Sequence, residues 1–289
     1  MSDKPQDLSD VSETLLMTLY IRAMESQRPD ALIKDEKAVE LVTQMTADGY
    51  IRYDFGRIRR IHMDEKVKVT IILRNVEFDR YTRDFLARYP EAVVVHIGCG
   101  LDSRFERVDN GTVEWYDLDL PEVIELRRKL IGGEGERYHF LAFSVLEEAW
   151  LEVVSAHRQR PFLFLAEGVF MYFQEAKVKW LVLTLRDRFP GAELAFDACS
   201  PFLVRANNLR LSIAWFGARY HWGIWRGQEL ERWGDPSTSL RAGGIRLLDE
   251  WGYLDRPEPR LDHIRWTRTI ESMARTSRIY HFQLGKATG

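Results

Sequence analysis

The spacing of apolar residues changes character along this chain. From Val11 to about Asp84 it is helical. Leu15, Leu16, Leu19, Tyr20 and Ala23 stand three or four positions apart and form one apolar stripe on a first helix that Pro29 ends. Ala38, Leu41, Val42 and Met45 predict a second helix, and a third runs from about Lys66 through Phe85 and stops before Pro90. No strand pattern interrupts this stretch.

At Ala92 the texture changes. Residues 92–97 are a nearly continuous apolar run ending in Gly98-Cys99-Gly100, the pattern of a strand buried on both faces. Similar runs recur at 113–118, 137–142, 161–166 and 192–196, separated by helical patterns such as 121–130 and 175–188. Strands and helices alternating at this interval predict right-handed crossovers and an α/β fold with a doubly wound, mostly parallel sheet. Residues 201–233 break the rhythm with Trp215, Phe216, Tyr220, His221, Trp222, Trp225 and Trp233. Order then returns, with a strand expected at 245–253, a helix at 261–275 and a final strand at 278–284. With no repeat and no low-complexity linker, the chain reads as one domain: a helical preface (1–90), a cofactor-binding core (91–200), a helical cap insertion (201–240) and closing elements (241–289).

Composition narrows the field. A length of 289 residues supports a sizeable core, and a net charge of −3 gives no attraction to nucleic acid. The short basic clusters at 57–60 and 127–129 read as solvated helix faces. Cys99 and Cys199, each ending an apolar run, read as buried thiols rather than a disulfide framework. The polar first ten residues do not resemble a signal peptide, and no apolar run approaches the roughly 20 residues that span a bilayer. A cytoplasmic protein is expected.

In a parallel α/β sheet, ligands bind beyond the carboxyl ends of the strands. The first strand delivers Gly98-Cys-Gly-Leu-Asp-Ser-Arg104, where glycines let the backbone turn and approach a ligand closely. The second ends in Asp117-Leu-Asp119, and Asp119 stands 21 residues after Gly98, the spacing of a carboxylate that accepts from ribose hydroxyls. Asp117, two positions earlier on the same strand, is the lesser candidate. The third strand leads to Ser144-Val145 and the fourth to Glu167-Gly168. A dinucleotide fingerprint requires a third glycine where this chain has Ser103. S-adenosylmethionine carries no phosphate and makes no such demand, so the pattern favours a methyltransferase over a dehydrogenase.

With these motifs assembled, the chain resembles the leucine carboxyl methyltransferase superfamily, and within it the polyketide O-methyltransferases of the tetracenomycin type. The resemblance runs from about Ser12 to Gly285. It rests on Thr14-Leu-Leu-Met-Thr-Leu-Tyr20, Arg28-Pro-Asp-Ala31, Leu73-Arg74, Gly98-Cys-Gly-Leu-Asp-Ser-Arg104, Trp115-Tyr-Asp-Leu-Asp-Leu-Pro-Glu122, Ala166-Glu-Gly-Val-Phe-Met-Tyr172 and Pro257-Glu-Pro-Arg-Leu261. It implies that Arg74 pairs with the cofactor's carboxylate, that Gly98 and Gly100 shape the methionine loop, and that Asp119 holds the ribose. Ser144 and Val145 take the place of an adenine-binding Asp-Leu pair, and Glu167 lies near the cofactor's amino end. Asp102 is expected to cap the helix after the glycine turn.

Methyl transfer from a sulfonium needs alignment above all. A carboxylate acceptor is already ionised at neutral pH, whereas a phenol needs a base. His221 is the one evident base in the cap, His96 sits inside a strand as a packing residue, and Tyr172 is a second weak catalytic candidate. No metal-ligand spacing is present. These features favour a carboxyl acceptor, and the resemblance implies that it sits on an aromatic, polyketide-like small molecule. Trp215, Tyr220 and Trp222 would wall its pocket with Phe216 and Trp225, and Arg205, Arg210 or Arg219 would orient the acid; packing of a helix onto the sheet produces the same aromatic pattern. A nicotinamide-dependent oxidoreductase, a protein C-terminal carboxyl methyltransferase and a non-catalytic cofactor-binding scaffold stay open.

Overall fold

The computed structural model describes residues 10–47, 64–209, 219–233 and 244–286. Seven strands form one sheet: β1 (Val93–Ile97), β2 (Glu114–Asp119), β3 (Tyr138–Ala142), β4 (Phe162–Ala166), β5 (Ala192–Cys199), β6 (Ile245–Gly252) and β7 (Ser277–Leu284). Their order is β3-β2-β1-β4-β5-β7-β6. The first five run parallel, and β7 lies antiparallel between β5 and β6.

Strand alternation distributes the core over both faces. Val93, Val95 and Ile97 face Phe162, Phe164 and Ala166 and pack under α6 (Ala149–Val154) and α7 (Glu175–Arg188) through Trp150, Leu151, Leu181 and Leu185. Val94, Leu163, Leu165 and Ala195 point the other way, against Phe78, Tyr81 and Phe85 of α3 (Glu65–Arg88) and Ile124 of α5 (Pro121–Leu130). Every residue of β1, β4 and β5 is buried, which is why these strands are mostly apolar, broken only by His96, Glu193 and Asp197. The third helix of the sequence pattern is therefore part of the sandwich itself.

The first two helices, α1 (Asp10–Ser26) and α2 (Glu36–Ala47), pack together through Leu16, Leu19, Ala23, Ala38, Leu41 and Met45. Leu101, beyond β1, joins the same cluster, so this pair sits over the carboxyl ends of the strands. Asp35 starts α2, its Oδ1 accepting from the Ala38 amide at 2.9 Å.

Three expectations need correction. Arg127 is fully buried in α5, where it pairs with Asp117 and donates to the Gly100 and Asp102 carbonyls at 2.9 and 2.7 Å; its companions at 57–60 lie outside the described residues. The segment expected as a helix at 261–275 is a 3₁₀ run (Pro259–Thr269) followed by one short α-turn (Glu271–Ala274). It buries only Leu261 within the 3₁₀ run, and Thr267 and Thr269 hydroxyls bond back to the Ile264 and Trp266 carbonyls, a local alternative to α-helical bonding. Asp102 caps nothing. Ser103 occupies the cap position of α4 (Arg104–Val108) without a side-chain cap, and Asp102 turns to Arg107 (2.9 Å) and Arg104 (3.1 Å).

The β5–β7 seam carries a buried charge. Glu193 of β5 accepts from both Arg88 terminal nitrogens at 2.7 and 2.8 Å and lies 2.8 Å from His281 Nε2 of β7. Burial alone would push its carboxyl up, and His281 and Arg88 overturn that, holding it at about 2 against an ordinary 4.5. The folded-state value is depressed, so the stabilisation is full above 4.5 and is lost as pH falls toward 2. Acid denaturation followed by circular dichroism should show a steep stability loss in that window, and Glu193→Gln should lower Tm at neutral pH while flattening the slope.

Candidate functional site

The carboxyl ends of β1 to β5 converge on one edge of the sheet beneath α1. Gly98 leaves β1 with φ of +65° and donates its amide to the Leu118 carbonyl at 2.7 Å. A Cβ at this position would overlap Val169 Cγ2, and one at Gly100 (φ +51°) would lie 2.5 Å from Leu15 Cδ2. Glycine is thus required twice, by conformation and by close approach.

Asp119 closes the other side of the loop. Its Oδ2 accepts from the Gly100 amide and its Oδ1 from the Leu120 amide, both at 2.8 Å. Burial raises its carboxyl above the usual range, the backbone donors opposing only in part. Asp117, two residues earlier, is instead buried in the core, accepting from Trp115 Nε1 at 2.8 Å and Tyr138 hydroxyl at 2.6 Å. At the end of β3, the Ser144 amide donates to Glu147 Oε1 at 2.8 Å, its hydroxyl accepts weakly from the Leu146 amide, and the buried Val145 gives its carbonyl to Trp150 Nε1 at 3.1 Å.

At the end of β4, Glu167 is held at both oxygens. Oε1 accepts from Arg74 Nε at 2.8 Å and Asn75 Nδ2 at 3.1 Å, and Oε2 from Arg104 Nη2 at 2.5 Å. Burial pushes this carboxyl up, and Arg74 and Arg104 prevail, keeping it below its ordinary value and ionised. Arg74 is itself mostly buried. Its Nη1 also donates to Asp197 Oδ2 at 3.1 Å. A guanidinium has five N–H donors, and Nη2 of Arg74 makes no hydrogen bond among the described residues. It lies beside Gly168, whose positive φ keeps a side chain away from it. The glycine loop, Asp119, the third-strand turn, Glu167 and Arg74 therefore share one edge.

The cap residues are dispersed. Tyr172, in the 3₁₀ turn after β4, meets Tyr220 edge to face at 5.4 Å. Burial raises both phenols, and that of Tyr253, so all three hydroxyls stay protonated. Trp222 belongs to the core rather than to an open pocket wall: it is 4% exposed and packs on Phe170, Phe196 and Trp233. His221 is exposed, its amide tied to the Met171 carbonyl at 2.7 Å. Neighbouring chain directions alternate here, so burying Trp222 turns His221 outward. Trp215, Phe216 and Arg210 lie outside the described residues, and Arg205 and Arg219 are exposed. His96 sits between Asp117 (3.4 Å) and Arg104 (3.2 Å) inside the core. Among the described residues no group of side chains could hold a metal ion.

Sequence reasoning missed Asp197, Asn75, Tyr253 and the pairing of Arg104. Asp197 carried a usable signal, a charge within the otherwise apolar end of β5. Asn75 and Tyr253 carried none.

Strand order and the antiparallel insertion of β7 define the class I methyltransferase fold, that of enzymes that use S-adenosylmethionine. A solved structure from Thermobifida fusca YX, described as that of a methyltransferase, shares the fold with a TM-score of 0.54 at 16% identity, over 76% of this chain and 83% of the other. The chain belongs to the leucine carboxyl methyltransferase family, whose model matches residues 15–185. It is 37% identical over 252 residues to the tetracenomycin polyketide synthesis O-methyltransferase TcmP of Streptomyces glaucescens, covering 86% of each chain. A second relative, the S-adenosyl-L-methionine-dependent methyltransferase dpfgK of Gibberella zeae, is 29% identical over 66% of this chain and 67% of its own. This membership sets aside the nicotinamide-dependent oxidoreductase.

The loop glycine offers a direct check. Gly98→Ala should cost about 1–3 kcal/mol in denaturant unfolding, combining left-handed strain with the Val169 overlap. Gly111→Ala, at φ +84° with open space around it, isolates the strain alone and should cost less.

Proposed function

We propose that the enzyme methylates an oxygen, and that the acceptor is a carboxylate on an aromatic, polyketide-like small molecule. Arg74 takes the cofactor's carboxylate through its free Nη2 edge, and Glu167 receives the ammonium. Gly98 and Gly100 let the methionine chain lie against the backbone, Asp119 accepts from the ribose hydroxyls, and Ser144 and Val145 flank the adenine. When bound, S-adenosylmethionine supplies a methyl group on a sulfonium, poised for in-line displacement. The protein's part is alignment and exclusion of water, worth roughly 7–11 kcal/mol where the fit is close.

The observation that carries the acceptor assignment is the protonation of the surrounding groups. Tyr172, Tyr220 and Tyr253 are donors, Asp197 has both oxygens engaged by Arg74 and the Gly168 amide, and His221 faces solvent. Such surroundings suit an acceptor that arrives ionised, as a carboxylic acid does, and ill suit one that must first lose a proton. The name of the TcmP relative supports an oxygen acceptor in polyketide synthesis.

Two measurements test this. Calorimetric titration with S-adenosylhomocysteine should show binding weakened about 10- to 150-fold in Asp119→Ala, the loss expected of charge-assisted hydrogen bonds worth 1.5–3 kcal/mol. Unchanged affinity would remove Asp119 from the ribose site. Product formed from aromatic acids with methyl-labelled cofactor should release labelled methanol in mild alkali, as an ester does; label stable to alkali would mark an ether and overturn the carboxylate assignment.

A further inference from the structure

We propose that Arg104 is a positioning residue for cofactor binding, acting through Glu167. The proposal rests on the reading of Glu167 as the partner of the cofactor's ammonium. Arg104 opens α4 directly after the glycine loop, and its side chain is wholly buried. Nε donates to Asp79 Oδ1 of α3 at 2.8 Å, and Nη1 lies 3.2 Å from His96 Nε2. Nη2 reaches Glu167 Oε2 at 2.5 Å and stands 3.1 Å from Asp102 Oδ2.

The partners of these carboxylates separate a structural part from a positioning part. Asp79 is also held by Arg107, at 2.8 Å through Nε and 3.0 Å through Nη2. Asp102 likewise keeps Arg107 at 2.9 Å. Glu167 Oε2 has no hydrogen-bond donor other than Arg104 among the described residues. Loss of the Arg104 fork therefore frees one edge of Glu167 while the neighbouring carboxylates retain a cation. With Oε2 released, the carboxylate swings on its remaining contacts to Arg74 and Asn75, both at Oε1, and no longer presents a fixed face to an ammonium. The fork matters as much as the charge, since a lysine ammonium is a point donor that cannot serve Asp79 and Glu167 in this geometry.

The test compares two ligands that differ at one end. S-adenosylhomocysteine carries the amino acid, and 5′-methylthioadenosine keeps the adenosine and sulfur but lacks it. Their affinities are measured by calorimetry on wild type, Arg104→Lys, Glu167→Gln and the double variant. Arg104→Lys should weaken S-adenosylhomocysteine by about tenfold or more, the size of a charge-assisted hydrogen bond, and leave methylthioadenosine within about twofold. In the Glu167→Gln background the same substitution should add little, because coupled residues are non-additive. Equal losses for both ligands, or a full additional loss in the double variant, would assign Arg104 to the fold alone. If Glu167→Gln itself spares S-adenosylhomocysteine, the reading of Glu167 fails; if Glu167→Gln weakens it and Arg104→Lys does not, only the present proposal falls. Should Arg104→Lys not fold, Asp79→Asn loosens the same fork from its anchor while Arg107 still holds the site, and should give a smaller loss with the same ligand selectivity. Loss of both ligands together would again overturn the proposal.

Discussion

The Glu167–Arg74 pair is the contact on which the rest of this edge depends. It joins the end of β4 to the middle of α3, and each partner is fixed by a second ion, Arg104 for the glutamate and Asp197 for the arginine. Burying these charges stabilises the chain little in net terms, because desolvation offsets most of the attraction. Breaking one link is costly, since it leaves an uncompensated ion in a low-dielectric interior, on the order of 3–5 kcal/mol. The arrangement therefore contributes definition more than stability: it allows one placement of the carboxylate and the guanidinium.

The same chain of ions reaches the N-terminal helices. Asp35, which caps α2, also accepts from Ser103 at 2.6 Å, Arg107 at 2.9 Å and Arg22 of α1 at 2.9 Å. Arg22 in turn donates to the Leu101 carbonyl of the glycine loop at 2.8 Å. Helices that begin the chain are thus wired to a loop that follows the first strand, and Leu15 of α1 covers Gly100 directly. The preface is held to the carboxyl edge of the sheet by polar contacts as well as by the Leu16–Leu19–Leu101 packing.

Most of the sheet was legible because buried parallel strands read as largely apolar runs and their helices as 3.6-residue stripes. The helices at 121–130 and 175–188 coincide with α5 and α7, and all seven strands lie within a few residues of their expected places. The glycine loop, Asp119, Ser144–Val145, Glu167 and Arg74 were legible as strand-end residues and through family motifs, and the structure gathers them on one edge. What was not legible depends on long-range pairing. Arg127 looks solvated in a basic run until Asp117 faces it from β2, and Asp102 looks like a cap until three arginines surround it. Trp222 resembles a pocket wall because local sequence does not say whether Phe170 and Phe196 lie beneath it. The 259–274 segment lacked a buried stripe, so its helical reading had no packing to enforce it.

The position of β7 has a consequence for how the molecule is made. The last strand in chain order lies inside the sheet, pairing along its whole length with β5 on one side and along most of it with β6 on the other. During synthesis β5 emerges with an open edge, mostly apolar but for Glu193 and Asp197, that waits for residues some eighty positions later. Until they arrive, that edge is a template for any extended chain nearby, the situation in which nascent sheets mispair or aggregate. Sheet closure is accordingly a non-local event, which carries a larger loop-closure entropy than local pairing. Substitutions that weaken β7 act first on the yield of folded enzyme and only afterwards on its chemistry.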